Sequence, residues 1–154
     1  MRLSWDEYFM TLANITAKRS KDPSTQVGAV IVDEHNRIVS LGYNGMPHGV
    51  DDKFISWNKN ADLDNKYLYV CHAELNAILN VHGSKSVENC TIYVTLFPCN
   101  ECAKILVQTG IKKVVYLSDK YHDQLSFRAS RKILEAANVE IVEYSGKKYD
   151  IIES

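Results

Sequence analysis

The sequence predicts a single α/β domain over residues 1–154, in which an antiparallel hairpin precedes strands that run parallel to one another. Three observations predict it. Short β-branched apolar runs alternate with segments of helical periodicity. The later strands are separated by helical stretches, and such crossovers are right-handed and leave the strands they join parallel. A chain of 154 residues is also long enough to bury a core without staples.

The elements follow in order. Ser4-Trp5-Asp6-Glu7 reads as a capping box, with Ser4 as N-cap and Glu7 reaching back. Tyr8, Leu12, Ile15 and Arg19 recur at helical spacing behind it, so the first helix is expected to run to about Lys18 or Arg19, and Asp22-Pro23 stops it. Val27 to Val32 is almost wholly apolar, as a strand buried on both faces should be. A polar turn over 33–37 leads into Ile38–Tyr43, giving the hairpin. Residues 44–66 form a long loop with Pro47, many polar residues, and Phe54, Ile55 and Trp57, which would suit a subunit interface or a lid. Beyond it the pattern predicts a helix near 73–81, a strand near 91–95, a helix near 100–109, a strand near 113–117, a helix near 124–137 and a strand near 139–144. No internal repeat or linker interrupts this alternation.

Composition narrows the function classes. Hydrophobic residues make up 45% and charged residues 24%, an ordinary globular balance. No apolar run is long enough to span a bilayer, and the first ten residues lack the apolar core of a signal peptide, so no membrane partner and a cytoplasmic location are expected. The formal net charge of −1 supplies no global field to draw in nucleic acid. With cytosolic redox conditions expected, the four cysteines are read as metal ligands or buried thiols rather than disulfides.

The chemistry lies in two short segments. Cys71-His72-Ala73-Glu74 stands where a loop turns into a helix, and Pro98-Cys99-Asn100-Glu101-Cys102 follows directly on the strand TIYVT. Pro98 fits near a helix start, and two cysteines three apart in a first turn can turn both sulfurs to one ion. The partial positive charge of a helix N-terminus favours the thiolate that zinc needs. With His72 as a third ligand the set is Cys₂His, leaving a fourth position for water, which distinguishes a catalytic zinc site from a closed structural one. Glu74, two residues from His72, can reach that fourth position without being a ligand, and a carboxylate there can move protons for a hydrolysis.

Blander readings exist for each piece. A lone C-x-x-C can be redox-active or half of a four-ligand structural site, but the latter wants a second pair, and only Cys71 and Cys90 remain. Cys90, just before a strand, reads as a small buried hydrophobe, and Cys71 adjoins His72 too closely to share one tetrahedral ion with it. A non-catalytic zinc module would not require Glu74. H-x-E joined to P-C-x-x-C is the signature of the zinc nucleobase deaminases, and the chain carries it in full.

GYNGMPHG (42–49), YVCHAELNAI (69–78), FPCNECAK (97–104) and SDKYHD (118–123), with RSKDPSTQVGAVIV (19–32), closely resemble the deoxycytidylate (dCMP) deaminases, and the likeness covers nearly the whole chain. H-A-E and P-C-x-x-C belong to the whole cytidine deaminase superfamily, whereas GYNGMP and SKDP joined to them are specific to the dCMP branch. The resemblance implies a three-layer α/β/α fold with a five-stranded mixed sheet. It implies hydrolysis of dCMP to dUMP with release of ammonia, supplying dUMP for thymidylate synthesis. It further implies a homohexamer, activated by dCTP with Mg2+ and inhibited by dTTP. Carried over to this chain, His72, Cys99 and Cys102 are the Zn2+ ligands and Glu74 the proton shuttle.

Asn44 matches the position that contacts sugar or base, with flanking glycines that let backbone approach a ligand; alternatively it only favours a left-handed turn. Gly42, Tyr43, Asn44 and Gly45 also match the effector segment. Arg19, Ser20 and Lys21 supply charge and donors for a 5′-phosphate, and Tyr121 adds a hydroxyl. Some viral relatives hold a second zinc in the region matching 44–66; here that region has His48 and no cysteine, so none is expected. Two alternatives stand beside the main reading. One is a bifunctional dCMP/dCTP deaminase. The other is a polynucleotide deaminase acting on tRNA adenosine or single-stranded cytosine, which the net charge and GYNGMP count against.

Overall fold

Every residue of β1 (Gly28–Val32) is buried, because the strand is covered on both faces and paired on both edges. The computed structural model describes residues 1–59 and 62–154. On one edge β1 pairs antiparallel with β2 (Ile38–Tyr43), and on the other with β3 (Thr91–Leu96). β4 (Lys113–Ser118) and β5 (Glu140–Glu143) then add in parallel, giving a five-stranded mixed sheet in the order β2-β1-β3-β4-β5. The hairpin and the parallel later strands are those the sequence pattern predicts.

Alternation along β1 assigns the two faces. Val30 and Val32 point to a layer formed by α1 (Trp5–Ala17), where they meet Phe9, Met10, Ala13, Tyr93 and Val115. Ala29 and Ile31 point to the opposite layer, built from α2 (Ala73–Leu79), α3 (Asn100–Gln108) and α4 (Leu125–Ala136). There Ala73, Ala77, Ala103, Leu106 and Leu134 close over Ile92, Val94 and Val114. The result is the expected three-layer arrangement.

The capping box is present: Ser4 Oγ accepts from the Glu7 amide at 3.1 Å, and Glu7 Oε1 accepts from the Ser4 amide at 3.0 Å. The helical spacing of Tyr8, Leu12, Ile15 and Arg19 does not mark the face that α1 buries, however. Phe9, Met10, Ala13 and Ala17 face the sheet, Leu12 is partly buried, and Tyr8, Ile15 and Arg19 lie on the open side. The cause is close packing. A Cβ on Gly28 would lie 1.9 Å from the Ala13 carbonyl oxygen, so α1 meets β1 closely at Ala13, while Phe9 and Met10 pack among Val30, Tyr93 and Val115. Gly42 plays the same part for α2, since a Cβ there would lie 2.3 Å from the Ala77 amide nitrogen. This corrects the expectation that Gly42 frees backbone for a ligand: helix backbone already fills the space. Other boundaries move by one or two residues. α1 ends at Ala17, α2 at Leu79 and α3 at Gln108, while β3 and β4 each gain a residue.

Candidate active site

Two helices begin side by side, and each begins on a side chain that does not cap it. His72 is the N-cap of α2 and Cys99 the N-cap of α3, both with extended backbone and neither making a side-chain bond to its own helix. N-cap side chains ordinarily satisfy a free amide of the first turn. Here they turn towards each other. Cys102, three residues into α3, joins them, and Pro98 sits fully buried one residue before the N-cap rather than inside the helix.

His72 Nδ1 lies 3.5 Å from Cys99 Sγ and 3.4 Å from Cys102 Sγ. All three donor atoms fall within 4.8 Å of one another. A tetrahedral zinc, at about 2.3 Å from sulfur and about 2.0–2.1 Å from nitrogen, sets neighbouring sulfur and nitrogen donors about 3.5 Å apart. Atom types and spacing therefore fit that ion. Cys90 stands apart as a buried thiol whose titration burial pushes up, and Cys71 is outside the group as well, its backbone paired instead with Gly45.

The electrostatics of the corner are those of a cation site. Hydrogen bonding from Cys102, then from His72, overcomes burial and holds the Cys99 thiol far below its ordinary range. Cys102 is driven the other way, by donating to Cys99 and by its own burial. The hydrogen bond with Cys99 raises His72, against burial and with help from the Glu74 charge. Two thiols and one imidazole thus share protons that a divalent cation would displace. Glu74 is 4% exposed, and burial raises its carboxyl while the His72 charge opposes. A buried acid beside such a group holds a proton more readily than a surface carboxylate.

Both His72 and Glu74 line a cavity of about 310 Å³, together with Cys99, Val27, Asn44, Lys66, Leu96, Phe97, Tyr121 and Phe127. That volume is at the lower end for small-molecule sites. One wall carries a buried ion pair: Lys66 Nζ lies 2.8 and 2.7 Å from the two oxygens of Asp22, with the side chains 4% and 3% exposed. Burial would raise the Asp22 carboxyl, but hydrogen bonds from Lys66 and the amides of Ser24 and Thr25 hold it below its usual value. Lys66 has no motif around it, so nothing in the sequence marks it, and Asp22 enters the sequence pattern only as a helix stop and as part of the SKDP run.

The substrate residues predicted from sequence separate in the structure. Asn44 lines the cavity, but its side chain is engaged: Oδ1 accepts from the Val27 amide at 2.8 Å, and Nδ2 donates to the Thr25 carbonyl at 3.0 Å and to Asp22 at 3.4 Å. It does not occupy the left-handed region, which Asn36, Asn89 and Asn138 do. Tyr121 also lines the cavity, and a hydrogen bond with the Thr25 side chain lowers its phenol more than burial raises it. Arg19, Ser20 and Lys21 are not brought to the wall. Arg19 lies over the Tyr43 ring at 6.0 Å, Ser20 is buried and accepts the Asp22 amide, and Lys21 pairs with Asp52 at 3.4 Å. Their backbone is taken up in closing α1, where the Arg19 and Ser20 amides donate to the Thr16 and Ala17 carbonyls.

Comparison with known proteins agrees with this geometry. Residues 3–118 match the family described as the cytidine and deoxycytidylate deaminase zinc-binding region. The deoxycytidylate deaminase of Mus musculus is 52% identical over 152 residues, covering 97% of this chain and 85% of the mouse protein. That of Homo sapiens is 55% identical over 139 residues, covering 89% and 78%. Among solved structures, the dCMP deaminase of cyanophage S-TIM5 in complex with dCMP and dUMP superposes with a TM-score of 0.74 at 25% identity, covering 94% of this chain and 99% of that one.

Proposed function

Since this chain belongs to the cytidine and deoxycytidylate deaminase family, we infer that it is a zinc-dependent hydrolase whose residues 1–154 form one catalytic domain converting dCMP to dUMP and ammonia. The observation that carries the reading is the meeting of His72, Cys99 and Cys102 beside buried Glu74 at one cavity of about 310 Å³. His72, Cys99 and Cys102 would hold the zinc, which when bound supplies a Lewis acid that makes water acidic enough to attack at neutral pH.

The chain's own residues do the rest. Glu74 accepts the first proton of the attacking water on its carboxylate and delivers it to N3 of the pyrimidine as the oxygen bonds to C4. It then takes the remaining hydroxyl proton and passes it to the exocyclic nitrogen, so that the C4–N bond breaks and ammonia leaves. Uracil keeps the proton on N3, and Glu74 ends ionised as it began. Burial suits the shuttle because it brings the carboxyl's affinity closer to that of the groups it serves. Phe97, Leu96 and Val27 give the base an apolar slot, and Phe127 with Tyr121 lies at its rim with rings 5.6 Å apart.

Tyr121 is the hydroxyl we assign to the nucleotide, with Asn44 shaping the wall behind it and Arg19, Ser20 and Lys21 acting from outside the cavity. The effector reading, dCTP with Mg2+ against dTTP at Gly42–Gly45, and the homohexamer stay with the family resemblance. Exposed Leu41, Tyr43, Leu68 and Leu79 suit subunit contacts. No helix among the described residues is long and apolar enough to cross a membrane; we place the enzyme in the cytoplasm, where its nucleotides are. The test is to offer dCMP, dCTP, CMP, deoxycytidine and a single-stranded oligonucleotide to the zinc-loaded protein and measure ammonia. dCMP is expected to be the best substrate. Release from the oligonucleotide but not from dCMP would overturn the reading.

A further inference from the structure

Asp22 and Lys66 stand 44 residues apart in sequence and meet almost without solvent. A buried ion pair is a poor device for stability alone, since apolar side chains of similar volume do as well or better, and leaving one partner unpaired is costly. Placed in the cavity wall, this pair has connections that point to another use. Asp22 Oδ1 also accepts the amides of Ser24 at 2.8 Å and Thr25 at 3.2 Å, which sets the turn delivering Thr25 and Val27 to the wall. Its Oδ2 accepts from Asn44. The Lys66 carbonyl accepts the Tyr69 and Val70 amides at 3.0 and 2.9 Å, starting the turn that ends in Cys71 and His72. Gly45 and Cys71 exchange two backbone bonds of 3.0 and 2.8 Å. The connections close on themselves: Asp22 to Lys66, along the chain to Cys71, across to Gly45, and through Asn44 back to Asp22.

We propose that the buried Asp22–Lys66 pair is a positioning brace for the nucleotide: it locks the 22–27 turn, the Asn44 turn and the 66–71 segment into one rigid wall and thereby sets substrate affinity. This rests on the dCMP reading above. Neither residue belongs to the His72–Glu74–Cys99–Cys102 group, so losing the brace loosens the wall while the reacting corner keeps its parts.

The test compares Lys66→Met, Asp22→Asn and the double variant, each with zinc content, melting temperature, kcat and KM for dCMP, and amide exchange over 22–28, 44–46 and 66–71. Each single variant leaves one buried polar group without its partner, so both melting temperature and affinity should fall. The double variant has no unpaired charge and should regain most of the melting temperature. Its KM should nevertheless stay raised by about tenfold or more, with kcat within about threefold of wild type, because a wall displaced by a fraction of an ångström binds less well. Exchange in the three segments should be faster. A double variant with one zinc per chain and wild-type KM would overturn the brace, whatever its exchange. Should the double variant not fold, Lys66→Arg keeps the charge but moves the donors, and wild-type KM there overturns the proposal equally. A wild-type protein that releases no ammonia from dCMP would break the functional reading instead, and unchanged exchange in the variants would then still decide against the brace.

Discussion

The corner holding His72, Glu74, Cys99 and Cys102 and the wall holding Asp22, Asn44 and Lys66 line the same cavity but are assembled differently. Two helix starts form the corner. Each places its side chains by local geometry, and the buried sheet behind them fixes one helix against the other. The wall consists of irregular segments joined by side-chain hydrogen bonds, one ion pair and a few backbone bonds, those of Gly45 with Cys71 and of Asn44 with Val27. Secondary structure lends the corner its rigidity, whereas the wall has to make its own. Chemistry should therefore depend on the corner almost absolutely, and affinity on the wall by degrees.

The sharpest break of that contrast is removal of a ligand. Cys99→Ala or Cys102→Ala leaves two protein donors, too few to hold zinc against a chelator, and zinc and activity should vanish together. Cys90→Ala, which removes a thiol buried among apolar side chains, should retain one zinc per chain. Metal analysis of the purified variants decides. Zinc lost with Cys90 and kept without Cys99 would move the centre elsewhere.

Next in size is the loss of the proton shuttle proposed for Glu74. Glu74→Gln preserves shape and leaves all three ligands in place, so zinc content and melting temperature should hold while kcat for dCMP falls about 10²–10⁴-fold. The pairing of full metal with lost turnover separates Glu74 from the ligands. Turnover near wild type would show that the carboxylate moves no proton.

Legibility in the sequence divides along the same line. H-A-E and P-C-x-x-C could be read because three or four residues of helix determine where those side chains go, and the capping box at Ser4 and Glu7 could be read for the same reason. VGAVIV announced a doubly covered strand through composition alone. Which face of α1 is buried is not legible locally, because it depends on Gly28, eleven residues beyond the helix end, which lets the helix backbone at Ala13 come close to the sheet. Lys66 was invisible, since a lysine in a polar loop carries no sign that an aspartate 44 residues earlier will bury it. Asn44 is marked by its motif but its partners are not, because Thr25, Val27 and Asp22, which occupy its amide, come from another turn of the chain.

The smallest effects should come from the charges outside the cavity, and they sharpen the contrast by limiting what the wall includes. Arg19 and Lys21 are exposed, and Lys21 is held by Asp52 with its own side chain 75% exposed. Solvent screens such groups, and surface pairs are typically worth about 0.2–1 kcal/mol. Arg19→Ala or Lys21→Ala should therefore lower kcat/KM for dCMP by at most about fivefold, more at low salt than at high, and leave deoxycytidine untouched because it carries no phosphate. Tyr121→Phe removes a hydroxyl that lines the cavity, and one neutral hydrogen bond of about 0.5–1.5 kcal/mol corresponds to roughly a 2- to 12-fold loss. If Tyr121 serves the phosphate, that loss should appear with dCMP and not with deoxycytidine. An equal loss on both substrates would place its hydroxyl in wall structure through Thr25. A loss of a hundredfold or more for Arg19→Ala, confined to dCMP, would bring that guanidinium into the site on substrate binding and make the 18–21 segment part of the wall.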